Sequence, residues 1–435
     1  MKKVMSLLAF LILFIGVIAG CSNGGTKEGS AEGETSDGSN EKVNLKMAVF
    51  PADQEVFERA YENFKKDHPN INITFESFPQ EQYYEKLRMQ LSSGEGYDLF
   101  TGQMDNMIDT GVLAPLDDYI QESKMDVSGY GTMYEAYKVD GKVMTLPYRK
   151  SNWMLYYNKT LFDEKGIDYP SDDMTWNEFR ELAKEMTSGS GNNKIYGAYL
   201  QQWPQTWYMS AVQAGASIID KDLTPFKDAL QLRVDLEKDG SIMKWSEQVS
   251  TGAHYNAAFQ KGNIAMNIIG DWHVAQLRQA EKEGTLKFDW DVAPIPHPEG
   301  VAKNTSLALP VSIMMNKNTE HPKEAFEFLK YMTGKDGAML LASEGYLTGY
   351  MDEDIEKAYL GDGSQKPKNL HYFLETKDYP EYPMIPGVNN IVVSQIFKQE
   401  GELVLIGQKS VDDAIKDITK RVQSEWASKY GDQQK

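Results

Sequence analysis

Two hydrophobic periods take turns along this chain from Val43 onward, and no other feature limits its fold so tightly. Leu45, Met47 and Val49 alternate with Asn44, Lys46 and Ala48 up to Phe50-Pro51, the two-residue repeat of a strand. Val56, Phe57, Ala60, Tyr61 and Phe64 then recur at helical spacing until His68-Pro69 stops them. Ile71, Ile73 and Phe75 return to alternation, and a second helix is predicted over about 80–93. A short apolar strand at 97–100 then leads to a helix closed by Gly111. Repeated βα units of this kind imply largely parallel sheets covered by helices on both faces.

The same alternation continues through the middle of the chain. Residues 153–157 read as a strand, and Thr175-Trp176-Asn177-Glu178 is a capping box that opens a helix running to about Met186. Pro225 introduces a helix ending at Gly240, and Gly262 precedes a compact apolar strand at 264–269. Gly270-Asp271-Trp272 then opens a helix to about Glu283, a strand-to-helix turn whose backbone donors face a ligand in α/β folds. A strand at 307–315 precedes a helix starting at His321-Pro322. A final helix aligns Val411, Ala414, Ile415, Ile418, Val422 and Trp426 on one stripe. The length of 435 residues suits two to four compact units.

Ahead of this body lies a different kind of sequence. Lys2 and Lys3 precede an almost purely apolar run at 6–19, shorter than the roughly 20 residues a spanning helix needs, which reads as an export signal. Cys21 is the only cysteine, so a disulfide within the chain, a Cys-based zinc cluster and a CxxC redox pair are excluded. Residues 22–42 are Gly, Ser, Thr and Glu with almost nothing apolar, a flexible leash that holds a folded body roughly 25 Å from its anchor. The chain carries 64 acidic against 45 basic residues, a formal −19, which repels a polyanion and argues against nucleic acid as a partner.

The ordered series of short blocks identifies a resemblance. Val17-Ile18-Ala19-Gly20-Cys21 is similar to a bacterial lipobox, in which the cysteine is lipidated and becomes the mature N-terminus. Tyr97-Asp98-Leu99-Phe100, Gly111-Val112-Leu113-Ala114-Pro115-Leu116, Gly141-Lys142 with Leu146-Pro147, and Tyr156-Tyr157-Asn158-Lys159 with Leu161-Phe162 come in turn. They are followed by Thr175-Trp176, Ala258-Phe259-Gln260-Lys261-Gly262 with Ala265-Met266, and Gly270-Asp271-Trp272. In order and spacing these resemble the family 1 extracellular solute-binding proteins, the maltose-binding-protein-like capture components of ABC sugar importers.

The resemblance implies an α/β fold of two lobes, each a mostly parallel sheet flanked by helices, with the ligand in the cleft between them. It divides the chain into a signal peptide at 1–20, the lipidated Cys21 and linker at 21–42, an N-terminal lobe of 43–148 plus 306–365, and a C-terminal lobe of 152–304 plus 370–431. Crossings between lobes are expected near 148–152, near 304–305 and between 359 and 377. The implied partners are a small carbohydrate, the permease subunits and the membrane through the lipid, on the outer face of the cell membrane. The chain itself is expected to be a monomer without metal or cofactor.

A sugar offers an apolar C–H face and a rim of hydroxyls, so its site needs aromatic rings and short polar side chains. Trp272 matches the family position after the central strand and is the first stacking candidate, with a core tryptophan as the alternative. Asp271 beside it either accepts hydroxyl hydrogen bonds or caps the helix. The loop at 201–207 aligns with a family loop that lines the cleft; Trp203 takes the stacking role there, with Gln202 and Gln205 on the rim. The carboxyl end of the strand at 97–100 nominates Gln103 and Asp105. Asn152 and Trp153 are nominated by the lobe crossing. Asp53 and Gln54 follow the first strand, with Asp53 read chiefly as a helix cap.

Other classes have less to stand on. There is no GxSxG elbow, HExxH, P-loop or EF-hand loop, and the six histidines lack ligand spacing. A tethered glycoside hydrolase requires only two opposed carboxyl groups, which so acidic a chain always offers. Polyamines, peptides and phosphate esters remain open as solutes, and Arg149-Lys150 leaves room for an acidic sugar.

Overall fold

The alternation read from the sequence sorts itself into two separate sheets in the computed structural model, which describes residues 42–430 apart from Glu95, Tyr137 and Met384. The export signal, Cys21 and nearly all of the leash lie outside the described residues, as does the final residue of the expected C-terminal lobe. The strands in chain order are β1 (Val43–Ala48), β2 (Ile71–Glu76), β3 (Leu99–Gly102), the hairpin β4 (Lys138–Val139) and β5 (Lys142–Val143), β6 (Leu146–Arg149) and β7 (Trp153–Asn158). They continue with β8 (Tyr196–Leu200), β9 (Ile264–Gly270), β10 (Trp290–Ala293), β11 (Thr305–Ala308), β12 (Val311–Met315) and β13 (Lys377–Pro380).

The first sheet has the order β2-β1-β3-β12-β6 and the second β10-β7-β9-β8, while β11 and β13 form a parallel two-stranded ribbon. Each sheet is mostly parallel, as expected, with one strand reversed: β12 runs against the other four strands of the first sheet and β7 against the other three of the second. β1 runs parallel to β2 and β3, but β12 is antiparallel to both β3 and β6. In the second sheet β8 is parallel to β9, while β7 opposes both β9 and β10. The reason is topological. Parallel neighbours need a crossover within one sheet, whereas β6, β7 and β12 border segments that pass from one sheet to the other.

Local expectations hold where side-chain periodicity decides them. The helix Gln54–Asp67 buries Val56, Phe57, Ala60, Tyr61 and Phe64, and Phe64 and Phe75 pack with Phe328 in the first core. The capping box is present: Glu178 N–H donates to Thr175 Oγ1 (3.3 Å) and Thr175 N–H to Glu178 Oε2 (2.8 Å), opening the helix Trp176–Met186. Two expectations fail. The strand at 307–315 is broken into β11 and β12 around Leu309-Pro310, because proline has no N–H to give a ladder. The helix before Gly111 is two single 3₁₀ turns, Met104–Asn106 and Ile108–Thr110, since the Arg88 guanidinium takes the Asn106 carbonyl that an α-helix would use.

Three segments carry the chain between the sheets. The first, 150–152, holds Ser151 at φ 62°. The second begins at Asn304, φ 57°, directly before β11. Such left-handed conformations cost a non-glycine residue about 1 kcal/mol, and both are compensated locally. Ser151 Oγ accepts from Arg149 (2.5 Å), while the Asn304 carbonyl accepts from Lys377 N–H (2.9 Å). The third follows the helix Glu353–Leu360; by Lys366, whose carbonyl accepts from Arg278 Nε (2.7 Å), the chain lies on the second sheet's helices.

Candidate ligand-binding cleft

Between the two sheets lies a cavity of about 940 Å³, large for the roughly 300–1,000 Å³ of small-molecule sites. From the first sheet's side it is lined by Phe50 and Ala52 after β1, Tyr84 and Arg88 on the helix Tyr83–Ser93, and Gln103 after β3. The crossings contribute Arg149, Ser151 and Leu309. From the second side come Trp153 at the start of β7, Gln202, Trp203 and Gln205 after β8, Tyr255, and Trp272 with Gln276 after β9. Glu381 after β13 and the segment from Asn389 to Lys398 close one end.

Three tryptophans form one wall. Trp153 meets Trp203 and Trp272 edge to face, with centroids 6.2 and 6.1 Å apart, and Trp203 lies 6.4 Å from Trp272 and 5.9 Å from Tyr255. The Gly-Asp-Trp turn makes this possible. A Cβ on Gly270 would stand 2.0 Å from Trp272 Cζ3, so only glycine lets the indole fold back over the strand end. The Arg149 guanidinium covers that indole at 5.1 Å and is neutralised by Asp53 at 3.2 Å. Asp53 makes no side-chain cap bond to the helix it precedes; its carboxylate also accepts from Tyr148 Oη, so its work is to hold Arg149 rather than to cap.

Hydrogen bonding along the helix Trp272–Lys282 fixes the polarity of the wall. Burial pushes the His273 imidazole down to about 3, so it is neutral, and its Nδ1–H donates to Gln276 Oε1 at 3.1 Å. Gln276 Nε2 in turn donates to Tyr255 Oη (3.1 Å), as does Trp272 Nε1 (2.9 Å). Two donors occupy the phenolic oxygen, so the Tyr255 hydroxyl anchors both Trp272 and Gln276 beside the cavity.

Six of the residues nominated from sequence line this cavity: Gln103, Trp153, Gln202, Trp203, Gln205 and Trp272. Five do not reach it: Asp53 and Gln54, which lie after β1 outside the lining, and three whose buried side chains turn inward. Asp271 is fully buried and accepts from Leu347 N–H (3.0 Å), tying the second sheet's turn to the other side of the molecule. Burial raises its carboxyl to about 6 despite the nearby Arg149. Asp105 is buried with its carboxyl pushed up to about 7, and accepts from Asn389 N–H (3.3 Å). Asn152 is buried too, its carbonyl accepting from Asp271 N–H (2.9 Å) and its amide donating to the Phe373 carbonyl (3.4 Å). These three shape the walls from behind.

Sequence reasoning missed Tyr84, Tyr255, Gln276, Glu381 and Asn389. For Gln276 a signal existed, because it lies four residues after Trp272 and shares its helical face. Tyr84 and Tyr255 have the look of core residues. Nothing local marks Glu381, which arrives more than two hundred residues after its hydrogen-bond partner Trp153.

Among the described residues no helix is long and apolar enough to cross a membrane, and no group of three His, Cys, Asp or Glu side chains is placed to hold a metal. Comparison with known proteins decides the family. Residues 47–339 match the model of the bacterial extracellular solute-binding proteins. The chain belongs to this family. Among relatives of this solute-binding protein, the multiple sugar-binding protein of Streptococcus mutans is 24% identical over 366 residues, covering 76% of this chain and 78% of that one. A sugar transporter structure from Rhizobium etli, in an open conformation, is 29% identical with a TM-score of 0.70, over 88% of this chain and 99% of that chain. An ABC substrate-binding protein from Listeria monocytogenes, in complex with cycloalternan, has a TM-score of 0.77 at 23% identity, covering 89% and 100%.

Proposed function

We propose that this solute-binding protein captures a carbohydrate, an oligosaccharide rather than a single ring, in the cleft between its sheets and delivers it intact to the permease of an ABC importer. The observation that carries the reading is the wall of Trp153, Trp203 and Trp272, with Tyr255 beside it and glutamines and asparagines around it, in a cavity of about 940 Å³. Flat apolar faces ringed by donors and acceptors match the two surfaces of a pyranose, and the volume suits more than one ring. The sugar-binding names of relatives in the same family support the same class.

The mechanism is ligand-driven closure. Each lobe presents half of the site, and a sugar that bridges both stabilises the closed arrangement by its additional contacts, shifting the population toward the shape the permease meets. The crossings at 150–152 and around Asn304 are where backbone torsions absorb the motion. No covalent bond changes. Cys21 is lipidated, and the leash lets a monomeric body tumble at the outer face of the membrane.

A thermal-shift screen tests the reading. Oligosaccharides are expected to raise the melting temperature, since a ligand of the native state alone stabilises by mass action; amino acids, spermidine and phosphate esters are expected not to. Melting shifts confined to the non-sugars refute it. Chromatography of an incubated sugar that stabilises the protein should return it unhydrolysed.

A further inference from the structure

Among the described residues, Glu381 is the one acidic side chain lining the cleft that is almost completely buried, 4% exposed, and without a cation. Trp153 Nε1 donates to its Oε2 at 3.3 Å, and the Gln205 side chain bonds to it as well. Among the described residues no Lys, Arg or His nitrogen lies within ion-pair distance of it. The titratable groups that share its surroundings are Asp105, Tyr208 and Tyr382, none of which supplies positive charge. Of the cleft's own cations, Arg149 is engaged with Asp53 and Arg88 with Asp109, while Lys398 at the far end acts on Glu402 rather than on Glu381.

A carboxylate left in this state is costly to keep ionised, because burial strips its water without supplying a counter-charge. A glutamine would accept from Trp153 equally well, so holding the indole does not require a charge. What a carboxylate adds is acceptor capacity: about four lone-pair sites, of which two neighbours use part, and no donor of its own. Glu381 lines the cavity, and its Oε2 stands 3.3 Å from the indole nitrogen of Trp153 in the aromatic wall.

From this placement we propose that Glu381 selects the solute by accepting hydrogen bonds from two adjacent donors on the ring that stacks against Trp153. The proposal rests on the carbohydrate reading above. The donors are vicinal hydroxyls or a hydroxyl beside an ammonium, and a sugar lacking one of them leaves a charged acceptor buried and unpaired. Binding is then linked to a proton. Burial raises the free carboxyl to about 7, and ligand donors favour its ionised form, so the competent fraction grows from about a tenth at pH 6 to about nine-tenths at pH 8.

The test uses the full chain and its Glu381→Gln variant. Glucose, galactose and mannose, their 2-amino and 2-acetamido derivatives, maltotriose and mannotriose are screened by melting temperature. Whichever binds is titrated by calorimetry at pH 6, 7 and 8 in buffers of different ionisation enthalpy. Expected for the wild type are a roughly tenfold tighter Kd at pH 8 than at pH 6 and release of a proton on binding. The variant is expected to bind at least tenfold more weakly at pH 8, with no pH dependence. Preference for the parent sugar assigns the donors to hydroxyls, and preference for the 2-amino form assigns one to the ammonium. A variant that binds as tightly as the wild type overturns the proposal and leaves the carbohydrate reading standing. A panel in which no sugar shifts the melting temperature overturns both. Should the variant fail to fold, a wild-type Kd that is flat from pH 6 to pH 8 overturns the proposal by itself.

Discussion

Replacing Gly270 by alanine adds one methyl group at the place where the aromatic wall is hung. The backbone there tolerates alanine, because Gly270 is not in the left-handed region. The methyl itself does not fit: it would stand 2.0, 2.3 and 2.5 Å from Cζ3, Cη2 and Cε3 of Trp272. Carbon atoms settle at about 3.5–4.0 Å, so the indole must retreat by roughly 1.5 Å. Three interactions go with it. The Trp272 Nε1–Tyr255 hydrogen bond contributes about 1 kcal/mol. The Arg149 guanidinium over the ring contributes about 0.5–1, and the edge contact with Trp153 about 0.5–1.5. Together Gly270→Ala is expected to cost about 2–3.5 kcal/mol of unfolding free energy in urea, and to raise the Kd of a bound sugar ten- to hundredfold by calorimetry. Because the methyl acts only through the ring, the double variant with Trp272→Ala should bind no worse than Trp272→Ala alone. Additive losses, or a Gly270→Ala protein with wild-type affinity and tryptophan emission, refute this account of the turn.

Trp272→Ala alone is expected to weaken sugar binding at least tenfold, about 1.4 kcal/mol; unchanged affinity removes Trp272 from the site. Tyr255→Phe strands Trp272 Nε1 and Gln276 Nε2 and loosens the wall they hold, so a roughly tenfold loss of affinity and about 1–2 kcal/mol of stability are expected. The ligand-free protein should also lose stability as pH rises from about 5 to 8. Burial holds Asp105 and Glu381 at about 7 and Asp271 at about 6, so the native state keeps protons that the unfolded chain releases near its ordinary carboxyl values, and their contribution fades as pH climbs through 6 to 7. His273, lowered to about 3, works the other way below about 6.5, but one imidazole is set against three carboxyls. Melting temperatures that rise steadily across this range contradict the assignment.

The three non-cavity carboxyl and amide groups give the buried side of the cleft its rigidity. Asp271 joins its own turn to Leu347, and Asp105 joins the turn after β3 to Asn389. Each links segments that face one another across the site, which is why the tryptophans and Gln103 stand where they do. Substituting these groups disturbs the geometry of the wall rather than a direct contact with solute.

The sequence by itself determined the alternation of strands and helices, because the repeats of 2 and 3.6 are local properties of side-chain order. It also marked Trp272, which follows a strand and opens a helix, as a candidate for the aromatic wall that the cavity then displays. That Gly270 leaves the indole room to fold back appeared only with the tertiary structure. The direction of the strands at the crossings was not legible, since β12 opposes β3 for reasons that lie in the path of the chain between sheets. Nor was the face to which a polar side chain turns. Asp271 and Trp272 are adjacent, yet the carboxylate goes inward and the indole lines the cavity. The inward choice exists only because Leu347 N–H and Arg149 arrive from far away to meet it. Glu381 is the opposite case, a residue without local distinction that long-range packing carries to the tryptophan wall and leaves without a counter-charge.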